Sequence, residues 1–372
     1  MSRTVIFLSP VPDFKGGAER SLMDLMGNPN ISPRLVVPAE GPLSKRATEL
    51  GIPFDILEFG RISDIRRPFR IGDGIKVLRD LLATAAKLRR LAKTHGAQVV
   101  HSNGLKAHAI NVTARMLGGS PSIIHIRDIA NTKIERLTWR CLQLASTRTV
   151  LVSRACWPQP TLPGNTHVVY NGFRIGGQNP PRTPQDGEDI VIGFAGRIHP
   201  AKGLHVLLSA LALARRQVGN LRLIVRGEFA SETPEYKDEI EAQVRNLDLT
   251  EAVAFDGFVS EPDAVYRGVD VVCVPSVLPD PLPRSVMEAM GRGLVVIAAP
   301  CGGIPEMIDH SKTGFLAGTP EEIAEHLVEV ARTPALRAEI GEKAAAACRI
   351  KFDIAVLHAR ITEVYDSVTT RS

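Results

Sequence analysis

Short apolar, β-branched runs separated by helical patterns recur along the chain. Thr4 to Leu8, Leu35 to Val37, Gln98 to His101, Ser122 to Ile126, Thr149 to Ser153 and His167 to Asn171 read as strands. The second half repeats the theme at Ile190 to Phe194, Leu221 to Arg226, Val253 to Phe255 and Val269 to Pro275. Runs that are apolar at consecutive positions suit parallel strands covered by helices on both faces. Between them the period changes to that of a helix. Ile75, Leu78, Leu81, Leu82, Ala85, Leu88 and Leu91 form one stripe, which predicts a buried helix face. Helix starts are marked by Thr319-Pro320-Glu321-Glu322 and by a similar capping pattern over Ser260 to Asp263. Residues 174–189, RIGGQNPPRTPQDGED, break the alternation and mark a domain boundary. The pattern therefore predicts an α/β protein of two doubly wound, Rossmann-like domains facing across a cleft, 1–173 and 190–350, with a final helical segment, 351–372.

Length agrees with two domains, since 372 residues with 44% hydrophobic content exceed one ordinary core. Apolar runs fall short of the roughly 18 residues of a spanning helix, and the amino-terminal one reads as a buried strand. Cys141, Cys156, Cys273, Cys301 and Cys348 lack paired spacing, so no disulfide framework or zinc site is indicated, and a reducing cytoplasm is the simplest compartment. Charge is divided unevenly. Residues 1–173 hold 24 Lys plus Arg against 12 Asp plus Glu, net +12, and the remainder holds 21 against 28, net −7. Aromatic residues are 5% of the chain and do not interleave with the cations, which argues against nucleic acid as a partner. Lys76, Arg79, Lys87, Arg89, Arg90 and Lys93, with Arg61, Arg66, Arg67 and Arg70 just before them, make a cationic face. That face reads either as a solvated helix surface or as a peripheral contact with an anionic membrane.

Candidate chemistry gathers at the ends of strands. In the stretch from Pro275 to Ile308, the amides of Arg284, Ser285 and Val286 open a helix, where unpaired N–H groups and the helix dipole favour an anion such as phosphate. Glu288 lies one turn further in, placed for a hydroxyl-rich group beside that phosphate, and Asp280 sits in the preceding loop. Phosphate next to hydroxyls suggests a sugar nucleotide. Earlier, Arg197 and Lys202 flank a turn that leads into a helix at Gly203. Cations near a helix start oppose its dipole, a conflict that an anionic ligand would resolve. Gly16 and Gly17 follow the first strand and let backbone approach a ligand without a Cβ in the way, though such a pair also makes an ordinary turn. His101 stands at a strand end followed by Ser102 and Asn103, and Arg127-Asp128 follows another strand, either lining a cleft or forming an ion pair.

These residues resemble the family-four retaining glycosyltransferases. Asp280-Pro281-Leu282-Pro283 followed by Glu288-Ala289-Met290 is similar to that family's Glu-Pro-Phe-Gly loop and Glu-Ala-Met helix, with Asp in place of the first Glu and Leu-Pro in place of Phe-Gly. Pro283 also removes one amide donor. Gly16-Gly17-Ala18-Glu19 resembles the family's GGAE loop, and Gly-Arg197 through Lys202-Gly its diphosphate-binding signature. Gly227 falls at its glycine-rich turn near the nucleobase, and Cys301 to Glu306 at its GGxPE turn. His101-Ser102-Asn103 stands where the family often has His-x-His. The resemblance covers nearly the whole chain and implies the GT-B arrangement, with the last helix crossing back to the first domain.

It further implies sugar transfer from a nucleotide-sugar donor with retention of configuration, to a glycan or lipid-linked acceptor in polysaccharide assembly. Arg197 and Lys202 would neutralise the leaving diphosphate, Asp280 would orient the donor sugar, Glu288 would hold the ribose, and His101 would act in catalysis. Asn103, Arg127 and Asp128 are acceptor-side candidates. No Asp-x-Asp pair occurs, so no metal or other cofactor is expected. A sugar-nucleotide epimerase of similar architecture and a non-catalytic sugar-nucleotide binder are the alternatives. A dehydrogenase is disfavoured because no G-x-G-x-x-G follows the first strand.

Overall fold

The structure, a computed structural model, describes residues 2–14, 16–62, 74–176, 188–259, 261 and 263–369. Arg66, Arg67 and Arg70, the Ile75 side chain, Ser260 and residues 177–187 of the boundary segment lie outside the described residues.

The chain divides into two units, Met1–Phe173 with Ile354–Ser372, and Arg174–Asp353. In the first unit the order is β1 (Arg3–Leu8), α1 (Gly17–Met26), β2 (Ile31–Val37), α2 (Pro42–Glu49), β3 (Phe54–Ile56), α3 (Gly74–Thr94), β4 (Val99–Asn103), α4 (Leu105–Met116), β5 (Ser122–Ile126), α5 (Lys133–Ala145), β6 (Arg148–Leu151) and β7 (Thr166–Val168). The second unit continues with β8 (Ile190–Ala195), α6 (Leu204–Arg215), β9 (Leu221–Arg226), α7 (Glu235–Asn246), β10 (Val253–Gly257), β11 (Val271–Val274), α8 (Arg284–Gly291), β12 (Val295–Ala298), α9 (Ile304–Met307), β13 (Phe315–Leu316), α10 (Pro320–Arg332) and α11 (Pro334–Phe352). Helix α12 (Ile354–Thr369) returns to the first unit.

Among the described residues each unit holds one parallel sheet. Their orders are β3-β2-β1-β4-β5-β6-β7 and β10-β9-β8-β11-β12-β13. In both, the first strand of the unit lies inside the sheet and the chain winds outward to one side before crossing to the other. The strand ends flanking that reversal are where open α/β sheets bind ligands.

Successive side chains of a strand point to opposite faces, and β1 shows the result. Val5 and Phe7 join a core with Leu22, Leu25, Leu35 and, from α12, Leu357, Ile361 and Tyr365. Ile6 and Leu8 join another with Val36, Leu88, Ala107 and Ile110. The second unit's largest core packs Ile192, Phe194, Leu223 and Val225 under Leu207, Leu211, Ile240 and Leu327. Caps set where helices begin. Thr319 Oγ1 accepts from the Glu322 amide at 3.2 Å while Glu322 Oε2 accepts from the Thr319 amide at 3.2 Å.

The expected buried stripe of α3 needs correcting. Ala85 and Leu88 are buried, but Leu78 and Leu82 are 54% and 43% exposed, and Thr84 is buried instead. The covered arc is thus rotated towards Thr84 and Ala92, because the packing against α4 and the sheet, not the apolar count, selects it. The cations Lys76, Arg79, Lys87, Arg89, Arg90 and Lys93 are all exposed.

Candidate functional site

In the second unit the chain leaves β8 through a turn that carries Arg197 and Lys202, and leaves β11 through the loop that carries Asp280 and leads into α8. Strands β8 and β11 are neighbours, so two loops widely separated in sequence emerge side by side. Glycines let these loops touch through their backbones. A Cβ on Gly203, whose φ is +74°, would sit 1.9 Å from the Pro275 carbonyl oxygen, and the Val277 amide donates to the Ala201 carbonyl at 2.9 Å. A Cβ on Gly302, φ +60°, would sit 2.1 Å from the Asp280 carbonyl oxygen, to which the Gly303 amide donates at 2.9 Å. Gly227 approaches the turn from the other side, with room for no Cβ against the Gly196 carbonyl. Gly302→Ala is therefore expected to lower the thermal transition of the second unit by an amount equivalent to about 2–3 kcal/mol, from left-handed strain plus a backbone clash. A transition within a degree of the parent would contradict this welding of the loops.

Lys202 and Asp280 meet in an ion pair, with the lysine side chain 36% exposed and the aspartate 17%. Asp280 Oδ1 also accepts from the Leu282 amide at 3.2 Å. Arg197 points towards the β9 side and pairs with Glu232, both largely exposed. The two cations expected to share one anion are thus each matched to a carboxylate, on opposite flanks of the β8 turn. Ser285 and Arg284 occupy the first turn of α8, whose N-cap position is Pro283. Glu288 is 13% exposed, and both of its oxygens are engaged. Oε1 accepts from Arg284 Nε at 3.1 Å, and Oε2 from the Tyr266 hydroxyl at 3.1 Å. Tyr266 is buried beside that carboxylate, and both burial and the Glu288 charge push its phenol well above the ordinary range. The Arg292 guanidinium lies 4.8 Å from the Tyr266 ring centroid and donates to Asp263 Oδ1 at 2.5 Å. Sequence reasoning missed Tyr266 and Glu232. Neither lies in a motif, and only the fold brings them to Glu288 and Arg197.

In the first unit Gly16 and Gly17 open α1, and the Gly16 amide donates to Glu19 Oε2 at 2.9 Å. His101 is where expectation and structure part. Strand β4 continues to Asn103, so His101 lies inside the sheet with no exposed surface. Its Nδ1 is 2.9 Å from the Tyr365 hydroxyl and its Nε2 is 3.1 Å from His125 Nδ1. Burial, and then the Arg127 charge, hold both imidazoles well below their ordinary value. A histidine enclosed in this way is a core residue, which corrects its expected place at a ligand-facing strand end. Asn103 takes that strand end, and its Oδ1 accepts from Arg127 Nε at 2.7 Å. Arg127 also donates to Asn171 Oδ1 at 2.5 Å. Asp128 is exposed and, with Leu105, Ile129, Asn131, Glu135 and Trp139, lines a cavity of about 330 Å³.

Two parallel doubly wound units, one with cations, a carboxylate and a helix N-terminus around its reversal point, define an open α/β protein with a candidate anion site at that point. Residues 178–347, within the second unit, match the family described as Glycosyl transferases group 1. Among curated relatives, the chain is 32% identical over 195 residues to the lipopolysaccharide 1,2-N-acetylglucosaminetransferase of Salmonella typhimurium, covering 48% of this chain and 50% of that protein. It is also 32% identical over 188 residues to the D-inositol 3-phosphate glycosyltransferase of Corynebacterium glutamicum, covering 47% and 43%. The chain thus spans about half the length of the curated relatives it matches. Among solved structures it is similar to Anabaena HepE in complex with UDP, with a TM-score of 0.82 and 24% identity over 98% of this chain and 100% of that one. The likeness runs through both units and shows the GT-B type of fold.

Proposed function

We propose that the chain is a retaining glycosyltransferase that moves a sugar from a nucleotide-sugar donor to a glycan or lipid-linked acceptor. The observation that carries this reading is the Lys202–Asp280 pair at the reversal point of the second unit, next to the opening turn of α8. The relatives named for sugar transfer and the UDP held by HepE support it.

On this reading a donor diphosphate draws Lys202 from Asp280 and Arg197 from Glu232, and the two cations neutralise charge growing on the leaving group. The Arg284 and Ser285 amides add hydrogen bonds at the helix tip, and Gly16, Gly17 and Gly227 admit close backbone approach. Asp280, once released, orients the donor sugar. Glu288 has spare lone pairs beside those given to Tyr266 and Arg284, and these accept from ribose hydroxyls. The bond from the anomeric carbon to phosphate breaks as the bond to the acceptor oxygen forms on the same face, and the acceptor proton passes to the departing phosphate. Asn103, Arg127 and Asp128 serve the acceptor. Because two side-chain cations face the diphosphate, the reaction is read as independent of metal. No helix among the described residues is long and apolar enough to cross a membrane, and the exposed cations of α3 provide a peripheral contact with an anionic one.

The experiment is a panel of UDP-, GDP- and ADP-sugars, first by thermal shift and then by transfer to glycan acceptors with and without EDTA, reading the product anomer by NMR. One donor should stabilise the second unit and give product with the donor's anomeric configuration. Isomerised donor would identify an epimerase, binding without turnover a silent receptor, and an inverted product would remove the retaining mechanism.

A further inference from the structure

Helix α5 leaves an apolar face open. Ile134, Leu137 and Leu144 are 78%, 63% and 69% exposed, and with the exposed Cys141 they fall at helical spacing on one arc. The opposite arc is the packed one, where Trp139 and Gln143 are buried. Further exposed apolar residues stand near one end of the helix. Arg115 Nη1 donates to the Ala145 carbonyl at 2.9 Å, which brings the end of α4 beside the end of α5, and there Met116 is 71% exposed and Leu117 40%. Exposed cations border the apolar arc, Lys133, Arg136 and Arg140. The single carboxylate of the helix, Glu135, is turned to the cap, accepting from the Asn131 and Thr132 amides at 2.9 and 3.2 Å.

We propose that this face of α5 docks on an anionic lipid bilayer, with Ile134, Leu137 and Leu144 entering the headgroup boundary and the cations meeting lipid phosphates. An apolar arc edged by Lys and Arg is the pattern of a helix that lies in the interface plane. Charge favours the bilayer over a second copy of the chain. A twofold contact presents the same patch from both sides, so Lys133, Arg136 and Arg140 of each copy would converge. The surface differs from the cationic face of α3, which belongs to another helix. None of it depends on the donor site, and sugar transfer is not the readout.

The test is sedimentation of the full chain with vesicles of phosphatidylcholine containing about one third phosphatidylglycerol, compared with phosphatidylcholine alone. The parent should bind the anionic vesicles and release as salt rises. Leu137→Gln with Leu144→Gln should lower the partition coefficient at least about tenfold, more than Lys87→Gln with Arg89→Gln and Arg90→Gln on α3. Should the α5 variant fold poorly by circular dichroism, an environment-sensitive dye on Cys141 of the parent supplies a second reading, a blue shift on adding anionic vesicles. Parent protein indifferent to vesicles, an α5 variant that binds like the parent, a Cys141 dye that does not respond, or a parent dimer that the α5 variant dissolves would each overturn the proposal.

Discussion

Lys202→Ala should lower kcat/KM for sugar transfer by about 100- to 1000-fold, the range lost when one preorganised donor to a developing anion is removed. That corresponds to about 2.7–4 kcal/mol of transition-state stabilisation. Lys202 ranks above Arg197 for two reasons visible in the structure. Its side chain is more enclosed, 36% exposed against 60%, so its charge is less screened by water. Its partner Asp280 is the less exposed carboxylate, fixed by the Leu282 amide and by the Gly302 turn, so the lysine is aimed before donor arrives. Arg197→Ala, at a solvent-facing site, should lose only about tenfold. Lys202→Ala also leaves Asp280 without its cation, so donor binding measured by calorimetry should weaken along with the rate. Initial rates at saturating acceptor over a range of donor concentrations give the comparison. If kcat/KM for Lys202→Ala stays within twofold of the parent, the assignment of Lys202 to the leaving diphosphate fails.

The sequence carried much of the fold because parallel strands advertise themselves. Ser122 to Ile126 and Leu221 to Arg226 could be read to the residue, being apolar runs bounded by breakers. The capping box at Thr319 and the helix behind Arg284 were equally local signals. What stayed hidden depended on packing. Seven apolar positions in α3 announce a helix without saying which arc its neighbours will cover, and so Leu78 and Leu82 stand in solvent. Gln98 to His101 looked finished at the histidine, yet Ser102 and Asn103 continue β4 because their backbones pair with β5 and their side chains find buried partners. The Lys202–Asp280 contact spans 78 positions, and only the adjacency of β8 and β11 makes it. Tyr266 and Glu232 had no sequence signal.

Mild acid is expected to destabilise the first unit, and the enclosed histidines explain why. Arg127 only donates, so His125 Nδ1, 3.3 Å from its guanidinium, is an acceptor. His101 Nε2 must then carry the hydrogen between the two rings, and its Nδ1 accepts from the Tyr365 hydroxyl. His108, 2.9 Å from Ser102 Oγ, is buried close by, its pKa lowered to about 3 by burial and by the Arg127 charge. All three imidazoles are neutral in the fold and gain protons only when it opens. Their contribution is therefore fully present above the unfolded value of about 6.5 and is lost as pH falls below it, by about 1.4 kcal/mol per histidine per pH unit. His108 alone, with its value at about 3, loses about 2.7 kcal/mol by pH 4.5, and His101 and His125 act in the same direction. The half-buried His167, also lowered, acts in the same direction. Between pH 6 and 5 most carboxylates remain ionised, so the slope there reports histidines. Denaturant unfolding of the full chain, followed by near-ultraviolet circular dichroism, should show the stability of the first unit falling by more than about 1 kcal/mol across that single pH unit, the share of His108 alone. His108→Gln should reduce the slope by about 1 kcal/mol per pH unit whatever it does to absolute stability, because one fewer proton is taken up. A first unit equally stable at pH 6 and pH 5 would mean that these rings are charged or solvated in the fold.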